Sequence, residues 1–346
     1  MSLKEALAKK YGKSISSGAE TKDYDDMVWF NTGSHTLNKA INPLGRGVPT
    51  RCITEFFGDY ATGKTLLSTY CLKDAQAKDG IAILVDVEGS FNKDFAKSLG
   101  INLDDLIVFA PTESDKKGNI VPLTYNTVED RINDTIDLIR QEYGEDKPIC
   151  IVWDSLAATN SERDLDETKD RGSNAKEVKF IIKRLRPKVN ATNTALIIIN
   201  QVYDNITTVP TAEPLKATGG RGVAFHSNIR VSFLQKKGKK GKVEGSKDED
   251  NTDDDTDDRG GTVINGVRLH FFIDKNRVGP PFKKGTVDFL FDIDGSPQLD
   301  YYSGYMEYMI ANEMVDTKTK GWIKVGEDSY RKGELERLLQ EHPELL

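Results

Sequence analysis

Short apolar runs alternate with longer stretches of helical period along most of this chain. The runs Ile53–Phe57, Ile81–Asp86, Leu106–Ala110, Ile149–Asp154 and Ala195–Asn200 are rich in β-branched and large aliphatic residues and too short for helices. They predict strands buried on both faces. Between them, Thr65–Lys78, Lys93–Leu99, Val128–Tyr143 and Asn174–Asn190 predict helices, with apolar positions three and four residues apart. Strand and helix in succession is the pattern of a parallel sheet covered by helices. Asn228–Gln235, Gly261–Asp274 and Thr286–Asp292 then follow one another as further β segments, and from Pro297 the pattern reverts to helix around a hairpin signal at Gly321-Trp-Ile-Lys-Val. This predicts an α/β core over residues 32–292, an N-terminal arm over 1–31 that opens with a helix at Leu3–Tyr11, and a small α+β C-terminal domain over 293–346.

Composition changes this picture little. The 346 residues are 37% hydrophobic and 30% charged, which suits a soluble protein with exposed pieces. No apolar run approaches the ~20 residues that span a bilayer, and the charged, amphipathic start does not read as a signal peptide. The cysteines Cys52, Cys71 and Cys150 lie within apolar patterns without metal-ligand spacing, so they are expected to be reduced core thiols in the cytoplasm. The net charge of −7 hides a local asymmetry. Lys236–Lys247 holds six lysines, and Asp248–Asp258 holds eight acids among eleven residues. Such blocks are solvated, and this one, 236–259, is expected to form a mobile charged insertion between two strands.

The chemistry begins at Gly58-Asp-Tyr-Ala-Thr-Gly-Lys-Thr65, a GxxxxGKT loop between a predicted strand and a predicted helix. That context aims consecutive backbone N–H groups and the helix dipole at one point, a cradle for phosphates. Gly58, Asp59, Tyr60, Ala61, Thr62, Gly63, Lys64, Thr65 and Leu66 are therefore the expected nucleotide-binding residues. Lys64 is placed on the β and γ phosphates of ATP, and the Thr65 hydroxyl on Mg²⁺. The loop alone leaves kinases, GTPases, helicases and recombinases open.

Three strand ends narrow the choice. Ile149-Cys-Ile-Val-Trp-Asp154 is a hydrophobic strand that closes on an acid, the arrangement in which an aspartate holds Mg²⁺. Ser155 follows where a glutamate would serve as base. Glu88, just past the strand Ile81–Asp86, is the expected base, or else an ordinary strand-end carboxylate. Gln201, at the end of the strand beginning at Ala195, reads either as a γ-phosphate sensor or as a turn cap.

Two segments follow these strands at the active edge. Asn160–Gly172 leads into a helix bearing Lys176, Lys179, Lys183, Arg184 and Arg186, and the first three share one face. That face suits either a nucleic-acid backbone or plain solvation. Val202–Thr218 has no regular period, and a loop of that length in a compact domain means function or disorder. Further on, Lys275 and Arg277 flank Asn276 in an extended segment, so alternation points both cations the same way, toward a shared anion.

These pieces, in this order, resemble the RecA family of homologous-recombination proteins. The matching segments are Asn31-Thr-Gly-Ser-His-Thr-Leu-Asn-Lys-Ala-Ile, Gly47-Val-Pro-Thr-Arg-Cys-Ile-Thr-Glu, the phosphate loop, Asp86 to Gly100, Val152-Trp-Asp-Ser-Leu-Ala-Ala, Ile198-Ile-Asn-Gln201, Thr218-Gly-Gly220 and Lys275-Asn-Arg-Val-Gly-Pro-Pro-Phe-Lys283. The resemblance implies a RecA-like ATPase core and a DNA-dependent ATPase that forms helical filaments on single-stranded DNA and exchanges strands with a duplex. It implies that Glu88 orients the attacking water, that Phe95 packs on the adenine near Asn92, and that Gln201 couples the γ-phosphate to the following loop. Bacterial members carry aspartate at the position of Asn92 and lysine at that of Arg277. Lys275 and Arg277 would reach the ATP of the neighbouring protomer. The DNA-contacting set implied is Lys176, Lys183, Tyr203, Ile206, Gly219, Gly220 and Arg221, with Ile206 wedged between bases and Tyr203 where bacterial members have arginine. Mediator and single-strand-binding proteins are implied as further partners, and membranes are not. About 30 residues precede the core, fewer than hexameric helicases of this fold carry, and the short chain suggests a phage-type member. A regulatory protein that uses ATP only as a switch is disfavoured by Glu88, and a small-molecule kinase by the lack of an arginine-rich lid.

Overall fold

Apolar alternation along five of the predicted strands divides cleanly between two cores. In Ile149–Asp154, Ile149, Ile151 and Trp153 face one layer while Cys150 and Val152 face the other, and the neighbouring strands alternate in step. Sheets of this kind must be covered twice, and the helices supply the cover. The structure, a computed structural model, describes residues 3–11, 26–114, 117–162, 174–204, 215–235, 242–244, 264–291, 297–315, 322–325, 328–331, 334–335 and 337–338.

Among the described residues the central sheet has eleven strands. Six run parallel, in the spatial order Ile229–Gln235, Cys52–Gly58, Thr194–Asp204, Ile149–Asp154, Ile81–Asp86 and Leu106–Phe109. Ile264–Asn276, Lys284–Phe291 and Pro297–Leu299 extend it antiparallel beyond Ile229–Gln235. The phosphate-loop strand Cys52–Gly58 is thus central, flanked by the sensor strand and by Ile229–Gln235. The helices Lys64–Ala77 and His35–Ile41 cover one face, and Tyr125–Tyr143 and Asn174–Ala191 cover the other. Val178, Ile181, Ile182, Leu185 and Val189 of Asn174–Ala191 are buried at helical spacing. Each fully buried Leu or Ile contributes about 1.5–3 kcal/mol, which explains how so charged a helix is held.

Several expectations are amended. The helix over 128–143 begins at Tyr125, because the Thr124 hydroxyl accepts from the Thr127 N–H at 3.2 Å and caps it. The sensor strand runs on to Asp204, because Val202–Asp204 pairs antiparallel with Leu215–Ala217. The 202–218 segment is therefore a two-stranded ribbon at its base rather than loop throughout. Lys242–Glu244, inside the charged insertion, pairs with the strand Ile264–Asn276, so this part of 236–259 is sheet; the rest of the insertion lies outside the described residues. The segment from 297 shares the first core: Tyr305, Met306, Tyr308 and Met309 pack in it, and Thr36 Oγ1 donates to Ser303 O at 2.6 Å.

Candidate active site and DNA-facing edge

The phosphate loop sits at the C-terminal end of the central strand. Gly63, at φ +69, is the turn into the helix Lys64–Ala77, and a Cβ there would lie 2.7 Å from Leu269 and 2.8 Å from Phe289. Only glycine satisfies both the left-handed backbone and that approach. Thr62 is buried, with its hydroxyl donating to Asp59 O at 2.8 Å, whereas Asp59, Tyr60 and Ala61 are exposed on the rim. Leu66 is buried in the first core, so it can offer a ligand only its backbone.

Lys64 Nζ donates to Gly58 O at 3.1 Å, Asp59 O at 2.5 Å and Thr62 Oγ1 at 3.2 Å. Burial lowers its pKa, while Asp154, Asp59 and Glu88 act in the opposite direction. A phosphate oxygen offers this ammonium a charged acceptor in place of neutral ones, a stronger bond. Thr65 Oγ1 donates to Asp154 Oδ2 at 2.7 Å. Burial pushes Asp154 up to about 6; Glu88 and Asp86 add to the rise, and the Thr65 hydrogen bond and Lys64 restrain it. A buried carboxylate and a hydroxyl side by side, beside a phosphate cradle, form the hard-oxygen donor pair that Mg²⁺ takes. The residues present therefore fit Mg²⁺ together with a nucleoside triphosphate.

Glu88 lies across this cleft. Its Oε1 accepts from Gln201 Nε2 at 3.0 Å and also from the Ser155 hydroxyl. The strand register explains the meeting: Asp86 stands opposite Asp154, so the residues just past each strand converge. Sequence reasoning missed the part of Ser155, although its position next to Asp154 was the available signal. It also missed that the Asp86 carboxylate accepts from the N–H groups of Ser90 and Phe91, at 3.1 and 3.0 Å, and so shapes the turn after Glu88. Beyond that turn a cavity of ≈ 190 Å³ is lined by Thr65, Thr69, Asp86, Asn92, Phe95 and Asp154, among others. Asn92 caps the helix Lys93–Ser98, its Oδ1 accepting from Phe95 N at 3.0 Å.

The basic helix face divides. Lys176, Lys179 and Lys183 are exposed, but Arg184 is committed to Glu129, with Nε 2.7 Å from Oε1. Lys183, Lys179, Arg186 and Lys275 lie close enough to His226 to hold its pKa down, after the larger effect of burial. The positive face therefore continues onto the helix Arg221–His226. Of the other expected DNA contacts, Tyr203, Gly220 and Arg221 are exposed, whereas Gly219 is buried. A Cβ on Gly219 would meet Val178 at 2.8 Å and Val223 at 3.0 Å, so this glycine serves close packing rather than open approach to phosphate. Ile206 and residues 163–173 and 205–214 lie outside the described residues.

Lys275 and Arg277 stand at the other end of the sheet from the phosphate loop. Lys275 pairs with Arg230, which pairs with Glu55, three residues before Gly58. That is about 10 Å back along the strands and two strands across, about another 10 Å. Lys275 Nζ donates to Ala224 O at 2.8 Å and Phe225 O at 3.0 Å, at the C-terminus of Arg221–His226. Burial foremost, then Arg277, Arg186 and Arg230, lower its pKa to about 8. It does not reach its own phosphate loop.

The chain is similar to known proteins along most of its length. The family profile described as RecA N-terminal domain matches residues 1–295. Among curated relatives, Protein RecA of Aquifex pyrophilus is 26% identical over 99% of this chain and 86% of its own length. Protein RecA of Malacoplasma penetrans is 27% identical over 100% and 92%, and that of Mesomycoplasma hyopneumoniae is 29% identical over 84% and 76%.

Proposed function

Because the chain belongs to the RecA family, the DNA-dependent ATPases of recombination and repair, we propose that its copies polymerise on single-stranded DNA and share their ATP sites. The filament then aligns the bound strand with a homologous duplex and exchanges strands. The observation that carries this reading is the Glu88–Gln201 contact at 3.0 Å. It joins the water-activating carboxylate to the strand that leads directly into the 202–218 ribbon.

In this reading the backbone of 58–66 and Lys64 hold the triphosphate. Mg²⁺, held by Thr65 and Asp154, would neutralise charge on the phosphates. The Oε1 of Glu88 is engaged by Ser155 and Gln201, which leaves Oε2 to orient the attacking water and take its proton as the γ-phosphate departs from ADP. The γ-phosphate competes with Glu88 for the Gln201 amide. Before hydrolysis that amide turns to phosphate; afterwards it returns to Glu88. Gln201 O accepts from Thr218 N at 3.1 Å, so the change is felt at both ends of the ribbon. Lys275 and Arg277, remote from their own loop, meet the triphosphate of the adjacent copy and stabilise charge in its transition state.

Single-stranded DNA lies against Lys176, Lys183, Tyr203, Ile206, Gly220 and Arg221, with Gly219 as packing beneath. Duplex DNA, single-strand-binding proteins and mediators meet the assembled filament. Among the described residues no helix is long and apolar enough to cross a membrane. The three cysteines are buried and free, with burial raising each thiol pKa, and we place the protein in the cytoplasm.

Glu88→Gln tests the reading. ATP binding and DNA-bound filaments should persist while DNA-stimulated turnover falls by roughly 10²–10⁴. Turnover at the parent rate, with nucleotide bound normally, would remove Glu88 from the mechanism.

A further inference from the structure

Glu55 is a carboxylate at the centre of the sheet with no exposed surface. Each of its oxygens is used: Oε1 accepts from Asn200 Nδ2 at 2.9 Å, and Oε2 from Arg230 Nε at 2.5 Å. The same guanidinium also holds Asp274 and lies 4.3 Å from the Phe57 ring centroid. Asp274 is the extra residue of a β-bulge, because Arg230 pairs with Lys275 while Val231 pairs with Ile273. The bulge lets two consecutive residues serve this neighbourhood, Asp274 gripping Arg230 and Lys275 reaching the carbonyls of 224 and 225.

On the other side, Asn200 is fully employed. Its second amide hydrogen goes to Thr218 O at 2.8 Å, and its Oδ1 accepts from Gln201 N at 3.0 Å. One buried charge therefore ties together the sensor strand, the closing residue of the 202–218 ribbon and the bulge that sets Lys275. Buried ion pairs add little net stability over apolar packing of the same volume, and their best-attested use is to fix register. All three tied segments belong to the site.

We infer that Glu55 is a positioning residue that couples DNA occupancy at the base of the ribbon, residues 202–204 and 215–218, to the placement of the Lys275–Arg277 edge. Through it, nucleotide contact at that edge and DNA contact at the ribbon strengthen one another. This rests on the reading that the ribbon holds DNA and the edge holds a neighbour's nucleotide.

The test is a coupling ratio. Affinity for a fluorescent single-stranded oligonucleotide is measured by anisotropy with and without a non-hydrolysable ATP analogue. The parent protein, Glu55→Gln, Asn200→Ala and the double variant are compared. Asn200→Ala leaves the Glu55–Arg230 pair intact and cuts only the branch to sensor and ribbon, so it decides the matter even where Glu55→Gln lowers the melting temperature. The analogue should tighten DNA binding by the parent, and each single variant should lose about tenfold of that enhancement. Affinity for DNA alone and for the analogue alone should stay within about threefold of the parent, and the double variant should lose no more than either single one. A folded Asn200→Ala protein that keeps the full enhancement overturns the inference, as does a double variant whose losses multiply. Should the parent itself show no enhancement, the DNA-ribbon reading fails and takes this inference with it, an outcome visible before any variant is made.

Discussion

Asp154 gives the sharpest quantitative expectation. Its carboxyl is almost fully buried, and burial lifts its pKa from 3.8 to about 6. That displacement corresponds to about 3 kcal/mol between its two protonation states. Without a cation, the folded protein binds this proton more tightly than the unfolded chain does. The stabilisation is complete below pH 3.8 and is lost as pH rises through about 6. A divalent cation reverses the sign, because it requires the ionised form and must displace the proton. At pH 5 only about one Asp154 in ten is ionised, whereas at pH 8 nearly all are, so binding of Mg²⁺–nucleotide should weaken about tenfold on Asp154's account. The assay is titration of a fluorescent ADP analogue with Mg²⁺ from pH 5 to 8 against the parent and Asp154→Asn. The nucleotide's own protonation is common to both and cancels in their ratio. The parent should carry an extra acid limb near pH 6 that the variant lacks, and Thr65→Val, which removes the restraining hydrogen bond, should move that limb upward. Parallel pH dependence in parent and Asp154→Asn would refute the assignment of the metal to this carboxylate.

Two further outcomes follow from the charge layout. Lys176→Ala/Lys183→Ala should weaken single-stranded DNA binding and reduce the slope of log K against log salt by about 1–2 while sparing nucleotide affinity; an unchanged slope would make this face merely solvated. An excess of Lys275→Ala/Arg277→Ala protein mixed with Lys64→Ala protein should recover part of the ATPase activity that each lacks alone, since one supplies the phosphate cradle and the other the cations; no recovery in mixed filaments would place those cations' work within their own subunit.

The parts of the site that sequence made legible are local. A phosphate loop declares itself within eight residues, and an acid at the end of a hydrophobic strand needs no distant partner to be noticed. Glu88 and Gln201 were legible as strand ends, yet their mutual contact was not, since it joins side chains 113 residues apart. The Glu55–Arg230 pair spans 175 residues, and the bulge at Asp274 exists only in the register between two strands. Hydrophobic period specifies which face a residue takes, whereas register is fixed by the whole sheet. Helix starts fared similarly: Thr124 directly follows the apolar run Ile120-Val-Pro-Leu123, which hides the start of a helical period, and only its cap reveals the helix from Tyr125. Arg184 read only as one more cation on that helix because Glu129, its partner, belongs to a different helix.

The separation of the phosphate loop from Lys275, two strands across and about 10 Å back along the sheet, carries an arithmetic consequence. With the cations supplied in trans, every competent hydrolysis centre lies at a junction, so a run of n copies contains n − 1 of them. In the proposed arrangement the contact is head to tail, one surface of a copy meeting a different surface of the next, and such contacts run on as an open filament unless their rotation closes a ring. The two termini of the run are then chemically unlike. One presents a loaded triphosphate that no neighbour helps to cleave, and the other presents Lys275 and Arg277 with no triphosphate to meet. A terminal copy of the first kind keeps its ATP while interior copies turn over. Growth and loss at the two termini of the proposed polymer should then proceed at different rates, and it inherits a direction from the placement of two cations.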